Sequence, residues 1–404
     1  MHLFEAIGVE LEYMIVSDPS LDVAPIADRL LEAGAGEPSS DVERDSIAWS
    51  NELTLHVVEL KTNGPAASLS GLTEQFQENV TEINRLLEPL SARLMPTAMH
   101  PWMDPDREMR LWPHDNRPIY EAFDRVFDCR GHGWANLQSM HLNLPFEGDE
   151  EFGRLHAAVR LVLPILPALA ASSPIIGGAV TGRLDSRLDV YRSNARRIAS
   201  ITGRVIPEQA FSEGEYDRLI FQPMFRDIAP FDPEGILQEE FLNARGAIAR
   251  FSRGSIEIRV IDVQESPTAD LAIAAATWDL LQRLVAEDFT SSREQRELTV
   301  ADLEAPLLCS INDAEQAVID NPHYLRQFGL REKSVTAAEL WDAIIGGSRT
   351  LPAWSRPPLD HILQFGPLSR RLLRRLGPNP SQAETAEVYR VLCDNLREGS
   401  QFQG

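Results

Sequence analysis

FEAIGVELEYMIV, residues 4–16, decides the fold. Its β-branched and aromatic residues mark a strand, yet Glu10 and Glu12 sit inside it, two positions apart. Side chains alternate across a strand, so both carboxylates leave one face while Val9, Leu11 and Tyr13 leave the other. Glutamate is a poor strand former, and like charges paired on one face repel. A sheet accommodates such a pair in two ways: that face is wet, or a cation lies between the acids.

The same arrangement recurs along the chain. Residues 51–62, NELTLHVVELKT, read as one or two strands bracketed by Glu52 and Glu59. Seven positions apart, these acids face opposite sides of a regular strand. A bulge at Val57-Val58, where two apolar residues adjoin, brings both to one face. Residues 134–146, WANLQSMHLNLPF, form a further strand, with His141 on the side of Ser139 and Asn143, and with Met140, Leu142 and Leu144 opposite. Residues 247–251 and 255–263 pair as a hairpin around Ser252-Arg253-Gly254. Its second arm sets Glu257 and Arg259 on one face, with Ile256, Ile258 and Val260 behind. Taken singly, His141 reads as a hydrogen-bonded structural residue, and Glu257 with Arg259 as a surface ion pair of small energetic weight.

Taken together, the four strands offer Glu10, Glu12, Glu52, Glu59, His141 and Glu257 to one surface if they are neighbours. Such a cluster is strongly destabilising unless it is neutralised. Mg²⁺, or Mn²⁺ in its place, resolves the conflict, because a hard cation takes carboxylate oxygens, keeps waters and completes its shell with phosphate oxygens. Arg259 adds a guanidinium suited to bidentate phosphate contact. An acid-lined sheet holding divalent metal and reached by arginine suits phosphoryl transfer from ATP.

The remaining segments are mostly helical. Residues 73–94 carry Phe76, Val80, Ile83, Leu87 and Leu90 at helical spacing. Residues 150–171 read as a largely buried helix bent by Pro164 and Pro167, and residues 189–201 as a shorter one. Pro267 starts an alanine-rich helix running to about Phe289. Beyond it the chain is helical, broken by prolines. This pattern predicts an α+β fold with a curved, mainly antiparallel sheet and flanking helices. No GxGxxG or GxxxxGK[ST] turn follows any strand, which removes the main support for a parallel doubly wound sheet. Residues 1–300 are expected to form the catalytic domain, with a helical region over 301–404 packed on it.

Composition narrows the partners. The 404 residues are 43% hydrophobic, too apolar for a disordered chain, and 61 acids against 38 bases give a formal charge of −23. So negative a field argues against nucleic acid and anionic membranes as partners and favours small molecules; nucleotides can still arrive with Mg²⁺. Cys129, Cys309 and Cys393 are widely spaced and form no CxxC pair, which fits a reducing compartment. No signal-like segment opens the chain, and the longest apolar stretch, residues 161–171, is too short to span a bilayer. A cytoplasmic protein is expected; oligomeric state is not legible.

GVELEY, NELTLHVVELKTNGP, SMHLNLPF, YRSNARRIAS and RGSIEIRVID, in this order, resemble the glutamate–cysteine ligase type 2 group of carboxylate–amine ligases. That group is related in fold to the glutamine synthetase catalytic domain. The resemblance covers roughly residues 5–290. It implies ATP and Mg²⁺ as cofactors, with Glu10, Glu12, Glu52, Glu59 and Glu257 as metal ligands. It further implies His141 as a metal or nucleotide-phosphate contact and Arg259 as the group that binds and stabilises the transferring phosphoryl. Glu52 is the least constant of these positions among relatives. The implied reaction activates the γ-carboxyl of L-glutamate as an acyl phosphate and joins it to an amine, L-cysteine in the first instance, giving γ-glutamylcysteine. The same chemistry on another acid or amine, a divalent-metal hydrolase built on the same acids, and a non-catalytic metabolite binder are the alternatives.

Other segments carry weaker signals. Arg192 and Arg196, i and i+4 on the 189–201 helix, are placed to hold an amino-acid α-carboxylate, or else form an ion-paired surface. Arg250 and Arg253 in the hairpin can reach phosphates, though turn arginines are commonly solvated. Cys129 near His132 suggests a nucleophile, but the adjoining glycines favour an incidental thiol in a loop. GGAVTG, residues 177–182, lacks the Lys-Ser/Thr of a phosphate loop and reads as a lid.

Overall fold

A computed structural model describes residues 1–404. Eight strands form one sheet: β1 (Gly8–Ser17), β2 (Asp41–Arg44), β3 (Ile47–Asn51), β4 (Val57–Thr62), β5 (Ala92–Met95), β6 (Ser139–Pro145), β7 (Ala247–Arg250) and β8 (Ser255–Asp262). Their order is β2-β3-β4-β1-β6-β8-β7, β5 also pairs with β1, and every pairing is antiparallel. The α+β, mainly antiparallel expectation holds.

Alternation fixes the register. Val9, Leu11, Tyr13, Val58, Leu60, Met140, Leu142, Ile256 and Ile258 all point to one side and are fully buried. Burying such side chains contributes roughly 1.5–3 kcal/mol each. A one-residue slip of β1 would exchange Leu11 and Tyr13 for glutamates in that core, so the acids are locked onto the opposite face. There Glu12 faces Glu59 across β1–β4, Glu10 faces Lys61 on one side and His141 on the other, and Glu257 faces Asn143 across β6–β8. Gly8 faces Asn143, and a Cβ on it would come within 3.0 Å of the Asn143 Cβ.

Helices cover the apolar face. Helix Leu72–Leu87 buries Phe76, Val80, Ile83 and Leu87, as its spacing predicts. Expectation and structure part just beyond, because the helix stops at Leu87 and residues 92–95 form β5. Ser91, in the left-handed region at φ 53°, turns the chain from one into the other. The prolines do bend residues 148–170 into Gly148–Val162, a short 3-10 turn and Pro167–Ala170. The helix expected over 189–201 is shorter and earlier, Ser186–Tyr191, capped by Asp185. The alanine-rich helix runs Pro267–Val285 with the Ser266 side chain as its cap.

The last hundred residues pack into the same apolar cluster through Leu303, Tyr324, Trp341, Leu359 and Leu396. A second cluster sets Leu372, Tyr389 and Leu392 against Met14, Val16 and Met95 at the end of β1 and β5. Arg371 and Glu265, both fully buried, pair at 2.6 Å, and Arg371 also donates to the Phe402 carbonyl. No helix is long and apolar enough to cross a membrane.

Candidate active site

The acid-bearing face of the sheet floors a cleft. A cavity of about 720 Å³ is lined by Glu10, Glu12, Glu52, Glu59, His141, Glu257 and Arg259, together with Lys61, Asn143, Arg250 and Arg253. Its carboxylates are well buried: Glu12 is 7% exposed, Glu59 6% and Glu257 3%. Two groups of three have ligand atoms lying within 4.8 Å of one another: Glu10, Glu59 and His141, and Glu12, Glu52 and Glu59. Buried acids at such spacing match the oxygen-rich donor set of a hard divalent cation, with one imidazole added.

Hydrogen bonds orient these groups. Glu10 Oε2 lies 2.9 Å from His141 Nδ1, and Asn143 Nδ2 donates to Glu10 Oε1 at 2.8 Å. His141 Nε2 is 2.8 Å from Ser139 Oγ, and Ser139 donates its backbone N–H to Glu12 Oε2 at 2.6 Å. Glu59 Oε1 accepts from Ser50 Oγ at 2.8 Å and Lys61 Nζ at 2.9 Å. Glu257 is forked between two cations, Arg259 Nε at 2.8 Å and Arg250 Nε at 3.2 Å.

The electrostatics show a cluster short of positive charge. Burial acts to raise the Glu10 pKa, but the His141 hydrogen bond and charge, helped by Lys61 and Arg259, hold it down at about 2. Burial and the Glu10 charge push Glu59 up to about 7, against the pull of Lys61. Glu52 is driven well above the usual carboxylate range by burial and by the charges of Glu12, Glu59 and Glu10. Burial disfavours the His141 cation, yet its Glu10 hydrogen bond and the Glu12 charge outweigh it and raise its pKa. Buried carboxylates that force one another toward the neutral form are what a bound divalent cation would relieve.

Glu52 reaches the cleft by a different route from the bulge at Val57-Val58. The strand breaks: β3 ends at Asn51, β4 begins at Val57, and Glu52 opens the connection between them. The structure does not bring Arg192 and Arg196 to the cleft. The helix ends at Tyr191, so the i,i+4 relation fails; Arg192 lies 3.7 Å from Asp189, and Arg196 is exposed in a 3-10 turn. Arg187, on that helix, is buried and lines a cavity adjoining the cleft instead. It pairs with Asp262 and donates to the Arg259 carbonyl at 3.3 Å, beside the register shift in β8. Arg250 and Arg253 line the cleft, and Gly254, at φ 62°, makes the left-handed turn that places them there.

Cys129 is buried against Met103, Met109 and Ala135, and burial, then Asp124 and Asp128, push its thiol far up, away from nucleophilic chemistry. GGAVTG closes the small hairpin Ile175–Ile176/Ala179–Val180 and lines neither the cleft nor the cavity that adjoins it. Alternation in β4 puts Lys61 on the face of Glu59, two residues away, whereas nothing in the sequence around Arg187 marks it as a cleft residue.

Comparison with known proteins identifies the family of the chain. The model of glutamate-cysteine ligase family 2 matches residues 6–390, well past the motif-bearing segment. This makes the chain, by class, an ATP-dependent carboxylate–amine ligase. It belongs to glutamate-cysteine ligase family 2. It is 36% identical over 269 residues to an uncharacterized protein of Archaeoglobus fulgidus, covering 67% of this chain and 72% of that one. It is 26% identical over 285 residues to a protein of Rubrobacter xylanophilus carrying the name "Putative glutamate--cysteine ligase 2-3", at 67% of each chain. Among solved structures, the ligase PafA in complex with the prokaryotic ubiquitin-like protein Pup aligns at TM-score 0.41 and 12% identity. That alignment spans 98% of this chain and 64% of PafA.

Proposed function

We propose that this ligase activates the γ-carboxyl of L-glutamate with ATP and joins it to an amine, L-cysteine in the reaction for which the family is named. The observation that carries this reading is the convergence of Glu10, Glu12, Glu52, Glu59, His141, Glu257 and Arg259 on one cleft. A carboxylate is a poor acyl donor; transfer of the γ-phosphoryl group onto it makes an acyl phosphate with phosphate as leaving group. Glu10, Glu59 and His141 would hold one Mg²⁺, and Glu12, Glu52 and Glu59 a second. When bound, Mg²⁺ supplies neutralising charge to the polyphosphate.

The protein's own groups do the positioning. Arg259, anchored by Glu257 and by backbone contacts to Gly246 and Arg187, aims a fixed guanidinium at the transferring group. Glu257 also restrains Arg250, which keeps a second cation on the same rim. Because both are held before substrate arrives, little reorganisation accompanies transfer. Purified protein with Mg-ATP and L-glutamate should release ADP only when an acceptor amine is added, and mass spectrometry should find the corresponding γ-glutamyl amide. ADP release without any amide, or hydrolysis of other substrates without ATP, would favour a hydrolase and end this reading.

A further inference from the structure

The cleft has a second lobe that phosphate and metal chemistry leave unexplained. It is a cavity of about 470 Å³ sharing Glu12, Glu52, His141, Arg250, Arg253 and Arg259 with the first. The shared residues mark the junction where the activated carboxyl must lie. Glu10, Glu59, Lys61, Glu257 and the Gly254-Ser255 turn belong to the first lobe alone, so the triphosphate has its neutralising groups there. The amine then approaches from the other side.

That side is aromatic. Tyr120, Phe123, Trp134, Tyr191 and Phe241 form its wall. Phe123 packs on Trp134 at 5.4 Å and on Phe241 at 6.2 Å between ring centroids, yet all three stay partly exposed to the cavity. Tyr191 is 8% exposed and its hydroxyl has no partner. Buried hydroxyls are nearly always hydrogen-bonded, so this one marks a position for a ligand atom. The rim arginines are engaged, Arg250 and Arg259 with Glu257, and Arg187 with Asp262.

We propose that the second lobe is the acceptor subsite and takes a primary amine whose body is an aromatic ring, with the Tyr191 hydroxyl bonded to its nitrogen. Ring stacking against Trp134 and Phe241 supplies recognition that a small thiol side chain cannot match. This rests on the ligase reading above. In the bond-forming step the neutral nitrogen attacks the acyl-phosphate carbonyl. A C–N bond forms, the C–O bond to phosphate breaks with its electron pair staying on the phosphate oxygen, and the departing inorganic phosphate takes up the proton lost from nitrogen.

The test compares 2-phenylethylamine and L-phenylalanine with L-cysteine as acceptors, using the intact enzyme with Mg-ATP and L-glutamate and following ADP and product mass. At least one aromatic amine should exceed L-cysteine in kcat/KM by about tenfold or more. Tyr191→Phe, which keeps the ring and removes the hydroxyl, should raise the KM for that amine about tenfold with the KM for ATP unchanged. Trp134→Ala should erase the aromatic preference. Equal or better turnover of L-cysteine overturns the proposal and leaves the ligase reading standing. If no amine is turned over, the ligase reading fails, and calorimetry decides the subsite: binding of 2-phenylethylamine weakened by Tyr191→Phe upholds it, and no binding overturns it.

Discussion

Replacing Arg259 by alanine tests the catalytic geometry with least ambiguity. Its guanidinium lies 2.8 Å from Glu257, which is 3% exposed, and the side chain is 26% exposed toward the cleft. Loss of one preorganised charge donor costs roughly 10²–10³ in kcat, or about 2.7–4 kcal/mol of transition-state stabilisation. The fold should survive. Glu257 keeps Arg250 at 3.2 Å, and partial exposure screens the lost pair below the ~3–5 kcal/mol typical of a buried pair stripped of one partner. Arg259→Lys restores a point charge without the planar fork, so its kcat should fall between wild type and Arg259→Ala. Steady-state ADP release gives the rate, and urea unfolding shows that each variant is folded. A folded Arg259→Ala enzyme working within a few-fold of wild type would refute the reasoning.

Three further outcomes follow from the coordinates. Arg371→Leu should destabilise the protein by about 3–5 kcal/mol in urea unfolding, because Glu265 is left charged and fully buried; the double variant with Glu265→Leu should recover part of that loss. Acid should weaken the fold below about pH 6.5. Burial holds His56 and His156 at about 3 and His100 at about 4, so the unfolded chain binds protons that the native state refuses, and stability falls as pH drops toward 4. Each histidine adds at most ~1.4 kcal/mol per pH unit, and His156→Phe should flatten the slope by one proton. Cys129→Ser should retain turnover, since the buried thiol lies outside the cleft; loss of activity with the fold intact would reopen the nucleophile.

Strand alternation made much of the cleft legible. The period-two pattern of GVELEY and GSIEIRV assigns each acid to a face without knowledge of strand order, and apolar burial behind them enforces it. Glu52 shows the limit: its distance from Glu59 called for an irregularity, but periodicity could not tell a bulge from two strands joined by a loop. Arg192 and Arg196 fail for a local reason. Ser193 donates to the Val190 carbonyl and Asn194 to Gly133, side-chain bonds that compete with helix continuation just where the i,i+4 argument needs it. Arg187 and the aromatic lobe were out of reach, because Tyr120, Trp134, Tyr191 and Phe241 come from separate segments and meet only through tertiary packing. Arg371 stands among four arginines in SRRLLRRLG, residues 369–377, and only the fold shows it as the buried partner of Glu265.

The central claim, that the buried acids form a seat for metal-bound triphosphate, is tested most directly by counting bound Mn²⁺ with electron paramagnetic resonance, with and without a non-hydrolysable ATP analogue. Wild-type protein should bind Mn²⁺, more tightly with the analogue, and Glu12→Gln with Glu59→Gln should abolish that binding while leaving the unfolding transition in place. Mn²⁺ binding that the double variant leaves untouched, or none at all in the presence of the analogue, would contradict it.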